Sequence, residues 1–130
     1  MKMNLKYGIP FIEISIINSN NEITVKNVLI DTGAGSSIVS SDIALEIGLA
    51  PSPTDVINRV RGVGGYEYVY EKSIDKIKIE DIEINNFKIE IGDMDYGFNI
   101  EAILGTDFLI ESRATVDMEN LELKFNTDGK

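Results

Sequence analysis

The chain has 130 residues, with 22 Asp+Glu against 12 Lys+Arg and a formal net charge of −10. It has no Cys and no His, which excludes cysteine nucleophiles, Ser-His triads and the usual zinc and haem ligands and leaves carboxylate, hydroxyl, Lys and Tyr chemistry. The acidic surface opposes a polyphosphate partner and no Lys/Arg cluster offsets it, so nucleic acid is not expected as a ligand.

Alternation of apolar and polar residues predicts strands with one buried face at Ile12-Glu13-Ile14-Ser15-Ile16, Ile77-Lys78-Ile79, Ile82-Glu83-Ile84 and Phe87-Lys88-Ile89-Glu90-Ile91. Turn chemistry between Asn18 and Asn21 separates the first strand from one over residues 23–30, and Asn85-Asn86 reads as a second turn. Ser40-Ser41-Asp42 can cap a short helix carrying Ile43 and Ile47 and ended by Gly48. Ala50-Pro51-Ser52-Pro53 is a connection within one domain. Tyr66, Tyr68 and Tyr70 fall on one strand face, for which packing is the default role. A second helical turn is expected from Thr106, as cap, to Ile110, and a last hairpin turns at Glu119-Asn120. These elements predict a mostly β single domain over residues 1–130, with one or two short helices at strand ends. No stretch approaches the roughly 18 apolar residues of a membrane helix, and the N-terminus lacks the apolar run of a secretory leader. A cytoplasmic location without direct membrane insertion is therefore expected.

Three segments carry the functional signal. In Val28-Leu29-Ile30-Asp31-Thr32-Gly33-Ala34-Gly35 an apolar strand delivers a carboxylate into a loop of small residues. Gly33 permits close backbone approach, Thr32 can donate and accept, and Ala34 leaves room around Asp31. Alone, this tripeptide is equally a strand-to-loop turn in which Asp31 accepts backbone N–H groups. Val60-Arg61-Gly62-Val63-Gly64-Gly65-Tyr66 reads as the glycine-rich tip of a hairpin, and Ala102-Ile103-Leu104-Gly105 as a buried strand with a tight exit. Neither glycine cluster has the lysine or the spacing of a phosphate loop.

In this order the segments resemble the retropepsin-like aspartic proteases, the single-lobe relatives of pepsin, over residues 11–125. The resemblance implies the acid-protease barrel. Asp31, Thr32 and Gly33 match the catalytic loop, residues 60–65 the flap, and Ile103, Leu104 and Gly105 the hydrophobic-hydrophobic-glycine segment. It further implies an extended peptide or protein substrate along Ala34, Gly35, Gly62, Val63, Gly64, Gly65, Tyr66 and Ile103, with Leu104 and Gly105 as structural support. Water is then the nucleophile, with no metal or cofactor.

Peptide hydrolysis by carboxylates needs one group to take a proton from water and another to give one to the carbonyl oxygen. The sequence holds one Asp-Thr-Gly, so the second carboxylate must come from a second chain, and a symmetric homodimer with Asp31 near its axis is the smallest solution. Two departures stand out. Viral relatives usually carry an acidic residue where this chain has Gly35 and an Arg where it has Thr106. Losing both members of that ion pair together is far less costly than losing one, and it implies a different dimer contact. The alternative is a dimeric peptide-binding module of the same fold that does not cleave.

Overall fold

A computed structural model describes residues 1–62, 65–94 and 99–127, with only the backbone described for 61, 62 and 65–67. In chain order the elements are β1 (Asn4–Lys6), β2 (Ile9–Asn18), β3 (Asn21–Ile30), β4 (Ile38–Ser40), α1 (Ser41–Glu46), β5 (Ile57–Gly62), β6 (Gly65–Ile79), β7 (Ile82–Gly92), β8 (Ala102–Leu104), α2 (Thr106–Glu111), β9 (Ala114–Asp117) and β10 (Glu122–Phe125). The first eight strands form one sheet in the order β1-β2-β3-β8-β4-β7-β6-β5, and a further β2–β6 pairing turns it back on itself. The ring includes the three-residue strands β4 and β8, so it is barrel-like without closing cleanly.

Period-two alternation gives this sheet two faces. Ile12, Val28, Ile30, Val39, Ile89, Ile91, Ala102 and Leu104 point into the main core with Phe108 and Leu123. Their neighbours Phe11 and Ile103 join Ile100 in a second, smaller cluster on the opposite face, packed by Ile9, Leu29, Ala34 and Met94. A β-bulge preserves this arrangement. Ile12 pairs with Val28 and Ile14 with Val25, so Lys26 and Asn27 together oppose Glu13. The bulge lets Val25 and Val28, three residues apart, face the same core.

The turn between β2 and β3 is the expected one, with Ser19 and Asn20 both at positive φ (49° and 66°), as a two-residue hairpin turn requires. The turn expected at Asn85-Asn86 is absent. Strand β7 runs through both residues in unbroken register with β6, and the reversal lies at Glu80-Asp81, with Glu80 at φ 51°. Asn86 does take positive φ (53°), but inside a strand paired with β6 on both sides of it, where this conformation makes a local kink. Ser40 caps α1, its hydroxyl accepting the Ile43 N–H at 3.3 Å, and Gly48 follows at φ 76°. Thr106 is not a cap: Gly105 holds that place and Thr106 is the first helical residue. The last hairpin, β9–β10, is joined by the N-terminus, where Met3 N–H donates to Leu121 O and Leu123 N–H to Met1 O, both at 2.7 Å.

Candidate active site

The Asp-Thr-Gly segment straddles a buried strand. β8 lies between β3, with which it pairs in parallel, and β4, with which it pairs antiparallel. Residues 31–37 therefore leave the sheet on one side of β8 and re-enter on the other. Asp31 N–H donates to Leu104 O at 3.0 Å as the chain leaves β3. The loop then tightens: Gly33 N–H donates to Asp31 Oδ1 at 2.9 Å, and Ala34 N–H to Asp31 O at 3.2 Å. Asp31 is half-buried, while Thr32, Gly33 and Gly35 are exposed. Thr32 bonds to no described residue of its own chain.

Gly105 passes directly beneath this loop. A Cβ there would lie 2.5 Å from Ala34 O and 2.9 Å from Ser36 O, both main-chain atoms, so only glycine lets β8 run into α2 at this point. Thr106 N–H donates to Ala34 O at 2.7 Å. Ser37, 1% exposed, completes the junction. Its hydroxyl donates to Asp107 Oδ1 at 2.7 Å and accepts the Gly105 N–H at 3.0 Å, while its N–H donates to Asp107 Oδ2 at 3.0 Å. Asp107 also accepts the Phe108 N–H at 2.7 Å. Where the sequence lacks an acid at position 35 and an Arg at 106, this hydrogen-bonded knot occupies the base of the loop.

Pairing registers connect the loop to the flap base. Phe11, Leu29, Ile103, Ile38, Glu90 and Glu71 are successive partners across six strands and so share one face. The structure thus brings Asp31, Thr32, Gly33, Ala34, Gly35, Ile103, Leu104 and Gly105 together. Ala34 packs in the same small cluster as Ile103. Gly62 and Gly65 are backbone partners at the end of the β5–β6 hairpin and Arg61 pairs with Tyr66; Val63 and Gly64 lie outside the described residues. Tyr68 is 72% exposed, so the tyrosine stripe is not a packed face at that position, while Tyr70 is half-buried and donates its hydroxyl to Leu49 O at 2.9 Å.

The hairpin base is held by side chains. Lys72 pairs with Asp55 at 2.8 Å and, with the Ser52 N–H, holds the Asp55 carboxyl below its ordinary value. Lys88 does the same for Glu71 at 3.0 Å, with help from the Asn58 amide. Sequence reasoning missed Ser37, Asp107, Asn58 and Glu90. Asp107 had a signal, as an acid in the first turn of a helix, but Glu90 sits at an alternating position that reads as solvent-facing.

This architecture is the retropepsin-like acid-protease fold, with one lobe and one Asp-Thr-Gly loop. The crystal structure of a retropepsin-like aspartic protease from Rickettsia conorii matches it with a TM-score of 0.67, covering 94% of this chain and 86% of that one at 19% identity. The aspartyl protease family model matches residues 14–108, and the chain belongs to that family. No curated protein matches the sequence.

Proposed function

We propose that the protein is an aspartic endopeptidase that cleaves extended peptides with a water molecule activated by Asp31 from each of two identical chains. The observation that carries this reading is the presentation of Asp31, half-buried at a strand end, with the Gly33 amide on Oδ1 and a loop floor fixed by Gly105 and Ser37. One carboxylate takes the water proton while its protonated partner donates to the carbonyl oxygen, and the roles are shared because two adjacent carboxylates hold one proton between them. Thr32, exposed and bonded to no described residue of its own chain, reaches the opposite loop. Ala34, Gly35 and Ile103 line the cleft floor, residues 62–66 cover an extended substrate through strand-type hydrogen bonds, and Leu104 and Gly105 support the loop. No cofactor is required, and a cytoplasmic location fits the cysteine-free sequence.

The test is cleavage of a peptide library by purified protein. Pepstatin-sensitive cleavage that falls by about 10²–10⁴-fold in Asp31→Asn supports the reading, whereas peptide binding without cleavage supports the non-catalytic module. A solution mass of twice 14.4 kDa at working concentration is expected, and a strict monomer that still cleaves would overturn the shared site.

A further inference from the structure

Glu90 is a buried carboxylate at a position that alternation reads as solvent-facing. It is 7% exposed and lies directly opposite Glu71 in the β6–β7 register, an arrangement of like charges that weakens a sheet. Burying such a group is costly compared with a packed hydrophobic residue, and Ile89 and Ile91 on either side show that the strand supplies hydrophobic residues readily. Two neighbours make the arrangement tolerable. Lys88 neutralises Glu71 at 3.0 Å, and the Asn58 amide donates to Glu90 Oε2 at 3.1 Å.

The two ends of Glu90 reach different parts of the candidate site. Its main-chain N–H donates to Ser37 O at 3.0 Å, and Ser37 is the residue that fastens the catalytic loop to Gly105 and Asp107. Its side chain holds Asn58 of β5, the strand leading into the flap. We propose that Glu90 is a positioning residue that sets the flap base relative to the catalytic loop through Asn58. The inference rests on the aspartic-protease reading of Asp31 and adds to it the element that fixes cleft height.

The experiment compares Glu90→Leu, Glu90→Gln, Asn58→Ala and the double variant Asn58→Ala/Glu90→Leu. For an extended peptide drawn from the wild-type cleavage library, Glu90→Leu should raise KM about tenfold, the effect of losing one hydrogen bond to a charged group, with kcat within about twofold. Gln, which keeps the acceptor oxygen, should retain wild-type KM, and the double variant should be no worse than Asn58→Ala alone, because the Asn58 amide also serves Glu71. A fall in kcat at unchanged KM, as expected if Glu90 only supports folding, overturns the proposal, as does a Gln variant no better than Leu or additive losses in the double variant. Amide exchange gives a readout independent of catalysis: Glu90→Leu should speed exchange at residues 57–62, and unchanged exchange there also overturns it. Absence of any Asp31-dependent cleavage by the wild type would count against the proposed function alone and leave the exchange result to decide the role of Glu90.

Discussion

The floor and the cover of the candidate cleft are held by different kinds of interaction. The floor, where residues 31–37 cross Gly105, is fixed by main-chain contacts and by a Ser37 side chain that is almost wholly buried. The cover, the β5–β6 hairpin, is held at its base by long side chains: Lys72 on Asp55, Asn58 on Glu90 and Tyr70 on Leu49. Main-chain contacts at van der Waals distance cannot relax without moving the fold, whereas side-chain ties can be changed singly. Substitutions in the floor should therefore cost stability, and substitutions at the flap base should alter activity more than stability.

The largest effect is expected for Gly105→Ala. Its methyl would overlap the carbonyl oxygens of Ala34 and Ser36, and the chain should lose about 3 kcal/mol or fail to fold, read by denaturant unfolding together with Asp31-dependent cleavage. Ser37→Ala comes next. It strips Asp107 and the Gly105 N–H of a buried partner, for an expected loss of about 2 kcal/mol in the same unfolding measurement. A loss under half of that would mean the floor is looser than its geometry implies. Gly92→Ala probes the cover: the added methyl would meet Val69 Cγ1 at 2.7 Å, a side-chain atom that can move. About 1 kcal/mol of stability is expected to go, with a proportionally larger change in KM for extended peptides. Equal effects of Gly92→Ala and Ser37→Ala on KM would erase the distinction.

The smallest effect concerns acid. Asp55 and Glu71 are held below their ordinary values of 3.8 and 4.5, chiefly by hydrogen bonds from Lys72 and Lys88. A carboxyl lowered by folding contributes stability that is complete above its unfolded value and is lost as pH falls towards the folded one. The flap base should therefore weaken below about pH 4.5, seen as lower protection of the amides of residues 55–58 and 70–72 relative to the unfolded-chain exchange rate at the same pH. Lys72→Met should flatten the part of that slope due to Asp55, and an unchanged slope would assign the acid response elsewhere.

Much of the floor was legible in the sequence because its causes are local. An apolar strand ending in Asp-Thr-Gly, a glycine after Ile103-Leu104, and Ser40 ahead of α1 each signal their geometry through residue type. The cover was less legible because its causes are distant. Glu90 reads as solvent-facing by alternation, and only the approach of Asn58 from a strand two places away in the sheet explains its burial. The misplaced turn has a similar origin. Asn86 has the conformation that turns use, but pairing with β6 resumes in the same register on either side of it, while Glu80 takes positive φ without a residue type that announces it. Likewise Tyr68 lies on an alternating strand, yet among the described residues it is left mostly exposed.

The bulge opposite Glu13 sets the parity of everything after it on β3. Counting from Val25, the one additional residue is what places Val28 and Ile30 inward and Leu29 outward, and the same odd-even count brings Asp31 to the cleft side. Deleting Lys26 or Asn27 would leave the Asp-Thr-Gly letters intact and shift their frame by half a pleat. The acid would then be aimed at the main core, so a single residue in mid-strand decides which way the Asp31 carboxylate looks.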